Sequence, residues 1–250
     1  MSGGGCMAVE MVLEGKILKS VLNGLKVLVS EAKWHINEEG LQSRVADPSN
    51  VAMVVVEIPR DGLETLLVDE ETVVGVDINR LSEIVKNVKA DTLVELDVSD
   101  STLGVKIGNL RYKISLIDPS AIKREPKTPT LDLPAKIVMG AGRFKEAINL
   151  VSKISDEVSL VSDEKEFKIV AEGDVDSITY RLDKYELIEF NGAEAKSNFS
   201  VEYLKNFCKV ATPDTTLTIY LGTDYPVRLD FDIGGKAKIS YFLAPRISTE

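Results

Sequence analysis

The chain is 250 residues long, with one histidine, two cysteines and a net charge of −10 from 40 acidic and 30 basic residues. One histidine and two cysteines are too few for a Cys/His zinc site or a disulfide framework, and a Ser-His-Asp triad would have only one histidine available as its base. Carboxylates would therefore have to carry any catalysis. The negative charge predicts a soluble protein that repels nucleic acid and anionic membranes as a whole, and any basic surface must therefore be local.

The first segment, residues 1–6, reads Met-Ser-Gly-Gly-Gly-Cys and lacks the basic and apolar regions of a signal peptide. We interpret it as an extension or an expression scar outside the fold. With Cys6 and Cys208 as the two cysteines, the chain is expected in a reducing, cytoplasmic environment. Apolar runs such as Val51–Val56 are far shorter than the ~18 residues of a membrane span, so no contact with a membrane is predicted.

Apolar residues spaced three and four positions apart predict four amphipathic helices. They are Glu14–Ser30, Asn79–Lys89, Gly142–Lys153 and Val201–Val210. Alternating or β-branched segments between them predict strands. The clearest strands are Val51–Ile58, Leu93–Val98, Tyr112–Ile117, Phe167–Ala171, Ser177–Leu182, Leu217–Leu221 and Ala237–Leu243. The predicted fold class is α+β, with short helices on one face of a largely antiparallel sheet.

The chain also contains an internal repeat. Gly15 and Gly142 align, with matching apolar positions two and six residues later, and Leu81-Ser-Glu-Ile84-Val-Lys86 aligns with Leu204-Lys-Asn-Phe207-Cys-Lys209. Residues 118–134 between the halves contain four prolines, which predicts an extended linker rather than a helix. We therefore expect similar domains at 7–117 and 135–247, followed by a tail at 248–250.

Positive charge is concentrated in the predicted helices. They carry eleven Lys and Arg against four Glu, whereas the rest of the chain carries 19 basic and 36 acidic residues. A single basic helix can be explained by lysine being a good helix former. Four helices with the same positive charge predict a surface that binds nucleic-acid phosphates without reading the bases. The candidates for this surface are Lys16, Lys19, Lys26, Arg80, Lys86, Lys89, Arg143, Lys153, Lys205 and Lys209. Phe144, Tyr203 and Phe207 are expected in the core rather than as base-stacking platforms.

Five stretches resemble the proliferating cell nuclear antigen family of DNA sliding clamps, in its archaeal form. They are Gly15–Lys26, Glu31–Trp34, Gly40–Gln42, Asp47–Val51 and Tyr241–Ile247, and the resemblance extends over residues 7–250. It implies an internally duplicated DNA-clamp fold that assembles into a trimeric ring, with helices lining a hole around duplex DNA. It also implies no catalysis and no cofactor. The expected role is a nucleoid-associated processivity factor that tethers DNA polymerase, the clamp loader, flap endonuclease and DNA ligase through short peptide motifs.

The resemblance also implies two protein-binding sites. A partner-peptide pocket under the linker is expected at Ala46, Asn50, Val51, Pro126, Thr128, Leu131, Pro226, Phe242, Leu243, Ala244, Pro245, Arg246 and Ile247. A subunit interface is expected along the strands 109–117 and 174–183, at Leu110, Arg111, Tyr112, Ile114, Leu116, Asp176, Ile178, Tyr180 and Leu182. Lys19, Lys26, Lys86 and Lys209 match basic positions of the family, whereas Glu83, Glu146 and Asn149 depart from them. Asn50 stands where a histidine is common, and Pro126 and Thr128 where bulkier apolar residues are usual.

Two alternatives remain open at this point. The first is a carboxylate-based hydrolase on a duplicated α+β fold, which would need paired buried acids in a cleft. The second is a subunit of a heterotrimeric clamp. Three weaker signals are set aside: Gly140-Ala-Gly142 lacks the third glycine of a dinucleotide site, Asp69–Glu71 is interpreted as a solvated turn rather than a metal site, and His35 as a strand residue.

Overall fold

The computed structural model describes residues 7–247, so the predicted extension 1–6 and the tail 248–250 lie outside the described residues. The described chain forms two compact units. Unit 1 contains the residues up to Ala46, Val55–Pro126 and Gly235–Lys238. Unit 2 contains Asp47–Val54, Lys127–Gly234 and the residues from Ile239 onward.

The described residues form four α-helices and eighteen strands. The helices are α1 (Gly15–Lys26), α2 (Ile78–Val85), α3 (Ala141–Val151) and α4 (Val201–Phe207). The strands up to the linker are β1 (Met7–Glu14), β2 (Glu31–Asn37), β3 (Gly40–Ala46), β4 (Ala52–Pro59), β5 (Thr65–Val68), β6 (Thr72–Asp77), β7 (Leu93–Ser99), β8 (Thr102–Ile107) and β9 (Leu110–Ser115). Those after it are β10 (Ala135–Gly140), β11 (Glu157–Ser162), β12 (Glu166–Glu172), β13 (Ser177–Asp183), β14 (Glu189–Asn191), β15 (Ala195–Ser200), β16 (Thr215–Leu221), β17 (Val227–Ile233) and β18 (Ala237–Leu243).

The strand order repeats between the two units. Unit 1 has the orders β5-β1-β7-β8-β9 and β4-β3-β2-β6, and unit 2 has β14-β10-β16-β17-β18 and β13-β12-β11-β15. Each strand of the first half thus has its counterpart nine strands later. Neighbouring strands pair antiparallel, for example β1 with β7 and β10 with β16. The predicted α+β class and internal duplication are confirmed, and all seven predicted strand segments are strands.

The helices close the core of each unit. The apolar stripe of α1 buries Ile17, Val21 and Leu25 completely, and α3 buries Phe144 and Ile148 in the same way. In unit 2, α3 contacts strands of both sheets, β10 and β16 on one side and β12 on the other. Burying each such side chain stabilises the fold by about 1.5–3 kcal/mol, which explains why the 3.6-residue periodicity was readable in the sequence.

An aromatic cluster completes the core of unit 2. Phe207 of α4 stacks on Tyr241 with ring centroids 4.0 Å apart, and Phe231 meets Tyr241 edge-on at 5.9 Å. Phe144 and Phe207 are fully buried, as predicted, while Tyr203 is half-buried and its hydroxyl donates to Asp47 Oδ2 at 2.8 Å. Cys208 lies beside this cluster in sequence and is buried with a free thiol.

The helices end earlier than predicted. After α1, Leu28 N–H bonds Leu25 C=O at 3.0 Å, and after α2, Val88 N–H bonds Val85 C=O at 3.0 Å. These bonds span three residues and tighten the chain into a turn, satisfying the terminal carbonyls without another helical turn. Periodic apolar residues continue into both turns because the turns also pack on the core. The sequence pattern therefore overestimated the helix lengths.

The linker contains one 3-10 turn, Pro119–Ala121, and no other helix or strand before β10. Its start lies against unit 1, where Ile117 N–H bonds Gly75 C=O at 2.9 Å. A side chain at Gly75 would meet Ile117 C=O at 2.4 Å, so this close approach requires glycine. Farther along, His35 Nε2 and Glu125 Oε2 are 2.7 Å apart. His35 is thus a strand residue that holds the linker, which agrees with its predicted strand position.

Candidate DNA surface, subunit edges and peptide pocket

In unit 1, α1 and α2 contact each other and expose basic residues on the sides that face away from the core. Lys26, Arg80, Lys86 and Lys89 are exposed. The ion pair of Lys86 is weak, since Glu83 is 3.9 Å away and both side chains are mostly solvated. These ammonium and guanidinium groups are placed to meet an external anion.

Two other basic residues of α1 are engaged within unit 1. Lys19 Nζ donates to Val88 C=O at 2.5 Å, so the side chain ties α1 to the turn that follows α2. Lys16 lies 4.0 Å from Glu14 and is half-buried. Their charge still adds to the local field, but their ammonium groups are less free to follow a ligand.

In unit 2, α3 and α4 form the corresponding pair, with Lys153, Lys205 and Lys209 exposed. Arg143 differs because its side chain turns toward the β13–β14 connection. It bonds the Tyr180 side chain and donates to Glu186 C=O at 3.1 Å and Glu186 Oε1 at 3.2 Å, and these bonds raise the pKa of Arg143. Its charge is therefore partly neutralised within the unit.

Acidic groups also lie beside the basic residues of unit 2. Lys153 and Lys205 line an open cavity of about 710 Å³. Its acidic lining residues, all exposed, are Asp156, Glu172, Asp174 and Glu202. This mixture reduces the positive field at that end of the helices.

The repeat places one lysine at the same position in each unit. Lys86 follows α2, and Lys209 lies in the 3-10 turn Cys208–Val210 that follows α4. The two correspond in the aligned repeat, and both are exposed. Lys209 Nζ donates to a neutral group, Asn206 Oδ1, at 2.7 Å. Lys86 and Lys209 are therefore the best-defined probes of the candidate DNA surface.

Among the strands that end a sheet in the described part of the chain, β9 and β13 carry the predicted interface residues. On β9, Leu110 is 56% and Tyr112 38% exposed, whereas Ile114 is buried at 8%. On β13, Leu182 is completely buried. The side chains of Ile114 and Leu182 thus belong to the core of their own units. At these two positions a neighbouring subunit could bond only the main chain.

The remaining predicted interface residues lie along the same edges. Arg111 and Asp176 are exposed, and Ile178 and Tyr180 are half-buried. Leu116 is half-buried and its N–H bonds Ser101 C=O at 2.8 Å, beyond the end of β9. An unpaired edge with apolar side chains is a template for another strand.

The loop that precedes β4 is organised by a buried carboxylate, Asp47. Its Oδ1 accepts from Ala52 N–H at 2.9 Å, and its Oδ2 from Ser49 Oγ at 2.6 Å and Tyr203 O–H at 2.8 Å. Burial opposes ionisation of Asp47, but these bonds and one from Val51 N–H outweigh it and lower the pKa of the carboxyl. The loop presents Val51, which is 37% exposed.

The C-terminal arm, Ala244–Ile247, lies beside this loop in unit 2. Ala244 N–H bonds Val51 C=O at 2.9 Å, and Arg246 N–H bonds Asn198 C=O at 2.7 Å. The Arg246 guanidinium also lies 3.3 Å from Asp156 Oδ2. Because the side chain of Arg246 is used in this way, it fastens the arm rather than pointing into a pocket.

The other predicted pocket residues divide by burial. Phe242 and Leu243 are 6% and 1% exposed and belong to the core of unit 2, so they would support a pocket from beneath. The half-buried residues are Leu131, Pro226, Ala244 and Pro245 in unit 2 and Ala46 and Pro126 in unit 1, while Asn50, Thr128 and Ile247 are exposed. Apolar surface for an incoming side chain is therefore offered by Val51, Leu131, Pro245 and Ile247.

Sequence reasoning missed the roles of Asp47 and Tyr203, and the anchoring of Arg246. A signal for Asp47 was present, since Asp47-Pro-Ser-Asn is typical of a turn in which the carboxylate bonds the following main chain. Nothing comparable pointed to Tyr203, which is 156 residues away.

Within residues 7–247, the acidic groups do not form the paired site that a carboxylate-based enzyme would need. The buried carboxylates there are Asp47 and Asp230, and Asp230 is bonded to the Arg228 guanidinium at 2.8 Å. No group of three or more His, Cys, Asp or Glu in that range could hold a metal ion. Within the same range, no helix combines the length and apolar character that crossing a membrane requires.

Two copies of one α+β unit, each with a basic helix pair and a sheet that ends in an exposed strand, define a duplicated clamp-type protein. The comparisons with known proteins identify the family. The model of the proliferating cell nuclear antigen N-terminal domain matches residues 7–110, and that of its C-terminal domain matches residues 127–246. The chain belongs to the proliferating cell nuclear antigen family of DNA polymerase sliding clamps, which are not enzymes.

Individual relatives agree over nearly the whole chain. A DNA polymerase sliding clamp of Archaeoglobus fulgidus is 55% identical over 244 residues, 97% of this chain and 100% of that protein. The clamp of Natronomonas pharaonis is 36% identical over 96% of this chain and 99% of that protein. A solved structure of the C-terminal region of FEN-1 bound to Archaeoglobus fulgidus PCNA has a TM-score of 0.94 at 55% identity, covering 97% of this chain and 100% of that one. The predicted family is confirmed, and the hydrolase alternative is not supported.

Proposed function

We propose that three copies of the chain close into a ring that encircles duplex DNA and slides along it. The ring holds DNA polymerase, the clamp loader, flap endonuclease and DNA ligase near their substrate and works on the nucleoid in the cytoplasm. The observation that carries the proposal is the repeated helix pair, which exposes Lys86 and Lys209 at equivalent positions of two units built alike. Family membership supports the same role.

Contact with DNA would come from ammonium groups on the exposed sides of the helices. Lysine is a point charge that neutralises phosphate without reading base edges, as a sliding protein requires. The acids Glu83 and Glu146 are exposed among these lysines, and Lys19 and Arg143 are held within their own units. The resulting attraction is moderate, so the ring can move along the duplex.

Ring closure would use the exposed edges of β9 and β13. A strand of one subunit adding to the sheet of the next satisfies the free main-chain groups of both, and Leu110 and Tyr112 bring apolar area to the contact. The two edges are different surfaces, so the contact is head-to-tail, and three such contacts give a ring when the rotation between subunits closes. A heterotrimer would use the same geometry with other chains.

Partner binding would occur at the loop 47–51 and the arm Ala244–Ile247. The relative bound to the C-terminal region of FEN-1 supports a peptide site in this chain. Val51, at 37% exposure, and Ile247, at 86%, offer apolar contact surface. A short apolar segment of a partner would bury these side chains and be held mainly by the hydrophobic effect.

The mass of the assembly tests ring formation. Light scattering of the isolated chain should give three times the mass of one subunit. A monomer at concentrations where the peptide still binds would contradict the homotrimer, and a ring that forms only after another chain is added would favour the heterotrimer.

Calorimetry with a peptide of the FEN-1 C-terminal sequence tests the pocket. Val51→Asp should weaken binding at least about tenfold, because the peptide would bury a charge. Leu67→Asp, the same change at a 60% exposed residue of β5, is the matched control and should bind normally. Equal affinity of the two variants would move the site elsewhere.

A further inference from the structure

The Asp47 carboxylate bonds several residues of the loop before β4. Its carboxylate accepts bonds from the Ala52 and Val51 amides, the Ser49 hydroxyl and the Tyr203 hydroxyl. Residue Asp47 is 4% exposed, so these four donors take the place of water around its carboxylate. Hydrogen bonds to a buried carboxylate are short and strong, so they restrict the positions of the donors.

The main chain of the loop adds further bonds at Asp47. Ser49 and Asn50 are exposed, and Asn50 has a φ of 56°, a left-handed conformation that asparagine tolerates better than most residues. The main chain of the loop adds Asp47 N–H to Ala52 C=O at 3.0 Å and Asn50 N–H to Asp47 C=O at 3.1 Å. Both bonds involve the main chain of Asp47. The main chain and the carboxylate of Asp47 together hold the residues that present Val51.

Tyr203 connects the carboxylate to a regular element. It lies on α4, where its ring packs against Phe207 with centroids 6.0 Å apart, and its hydroxyl reaches Asp47 Oδ2 at 2.8 Å. Phe207 is fully buried, so the ring of Tyr203 rests on a rigid surface. Tyr203 thereby fixes the position of the loop relative to α4.

The ordering extends from the loop to the C-terminal arm. Val51 C=O accepts from Ala244 N–H at 2.9 Å, so the main chain of the loop holds the start of the arm. At the other end, Arg246 N–H bonds Asn198 C=O. A shift of the loop would leave the arm attached at Arg246 alone.

We infer that Asp47 and Tyr203 form a positioning pair that holds the Ser49–Ala52 loop, and through it the Ala244–Ile247 arm, in the shape that accepts a partner peptide. The inference rests on the proposed peptide site. Neither residue needs to touch the peptide, since Asp47 is buried and Tyr203 acts through it. Loss of the pair lowers the fraction of molecules with an ordered loop, and the apparent affinity falls by the same factor.

The test measures peptide binding kinetics by stopped flow, with the FEN-1 C-terminal peptide, on the full chain and its variants. Tyr203→Phe removes one hydroxyl and keeps the ring contact, and Asp47→Asn keeps the size but can no longer accept from all four donors. For either variant we expect the association rate to fall about three- to tenfold, while dissociation stays within about twofold. Tyr185→Phe, the same change at an 85% exposed tyrosine, should leave both rates unchanged.

Hydrogen exchange of the free protein provides a second readout. Amides of residues 47–54 and 242–247 should exchange faster in Tyr203→Phe, and amides of unit 1 strands should not. Wild-type rates and exchange in both Tyr203→Phe and Asp47→Asn would overturn the inference and leave the proposed function standing. A faster dissociation alone would also overturn it, since that result indicates direct contact with the peptide. If the unmodified chain fails to bind the peptide, the proposed pocket falls and the inference falls with it.

Discussion

Replacing Lys86 and Lys209 by alanine tests the DNA surface with little effect on the fold. Both side chains are exposed, and their contacts within the chain are weak or neutral, namely Glu83 at 3.9 Å and Asn206 at 2.7 Å. Two charges are lost per subunit, or about six in a ring of three. Each phosphate contact contributes about 0.9 to the slope of log K against log salt, so the slope should fall by about 1 if one lysine contacts DNA at a time, and by about 5 if all do.

Fluorescence anisotropy on a labelled duplex, measured over a series of NaCl concentrations, gives this slope. Lys165→Ala with Lys196→Ala is the matched control, because it removes two exposed charges from other elements of the chain. The control should retain the wild-type slope, and light scattering should give the same mass for all three proteins. A slope that drops equally in both double variants would refute the assignment of the helices to DNA, since net charge alone would then explain it.

Three further outcomes follow from the structure. Leu110→Glu with Tyr112→Glu should give monomers by light scattering, because like charges would enter the proposed β9–β13 contact, whereas Leu67→Glu should leave the assembly intact. The lowered pKa of Asp47 means that its ionised form stabilises the fold above the unfolded-state value of 3.8, and that this contribution is lost as pH falls through the folded pKa. Asp47→Asn should therefore lower the free energy of unfolding at pH 7 by about 2 kcal/mol, which lowers Tm. The difference in unfolding free energy from wild type should shrink in acid, and a difference that stays constant with pH would contradict this. Burial raises the pKa of the Cys208 thiol to about 12, so in a Cys6→Ser background a thiol reagent at pH 8 should react only as fast as the protein unfolds, and rapid native labelling would be the contrary result.

The helices and strands could be predicted from the sequence because burial of one face makes apolar residues recur at regular spacing. Ile17, Val21 and Leu25 occupy one face of α1, and the alternation in Ala237–Leu243 coincides with the observed bounds of β18. The repeat was readable for the same reason, since equivalent positions face equivalent cores and retain similar side chains. Patterns of this kind depend on local spacing, and spacing is contained in a single sequence.

Bonds between distant residues could not be read in this way. The Tyr203–Asp47 bond and the Arg143–Glu186 pair depend on where separate elements meet. The resemblance placed Phe242 and Leu243 at the pocket, but strand alternation in β18 gave no means of separating residues that line a surface from residues that lie under it. Their burial at 6% and 1% was decided by packing in three dimensions.

Ring closure explains how a chain of net charge −10 can remain on a polyanion. Bound by attraction alone, the exposed lysines would give a salt-sensitive complex that exchanges rapidly. A closed ring on circular DNA can leave only by opening, so a few moderate phosphate contacts suffice and sliding remains easy. The monomer made by Leu110→Glu with Tyr112→Glu separates the two contributions, because it keeps every basic residue of the helices. It should bind short duplexes weakly, since it carries two more negative charges per subunit, and it should leave circular DNA as quickly as linear DNA in gel filtration. The closed wild-type ring, once loaded, should stay on the circle and run off the linear molecule; equal retention of ring and monomer on circular DNA would mean that charge, and not topology, holds the clamp.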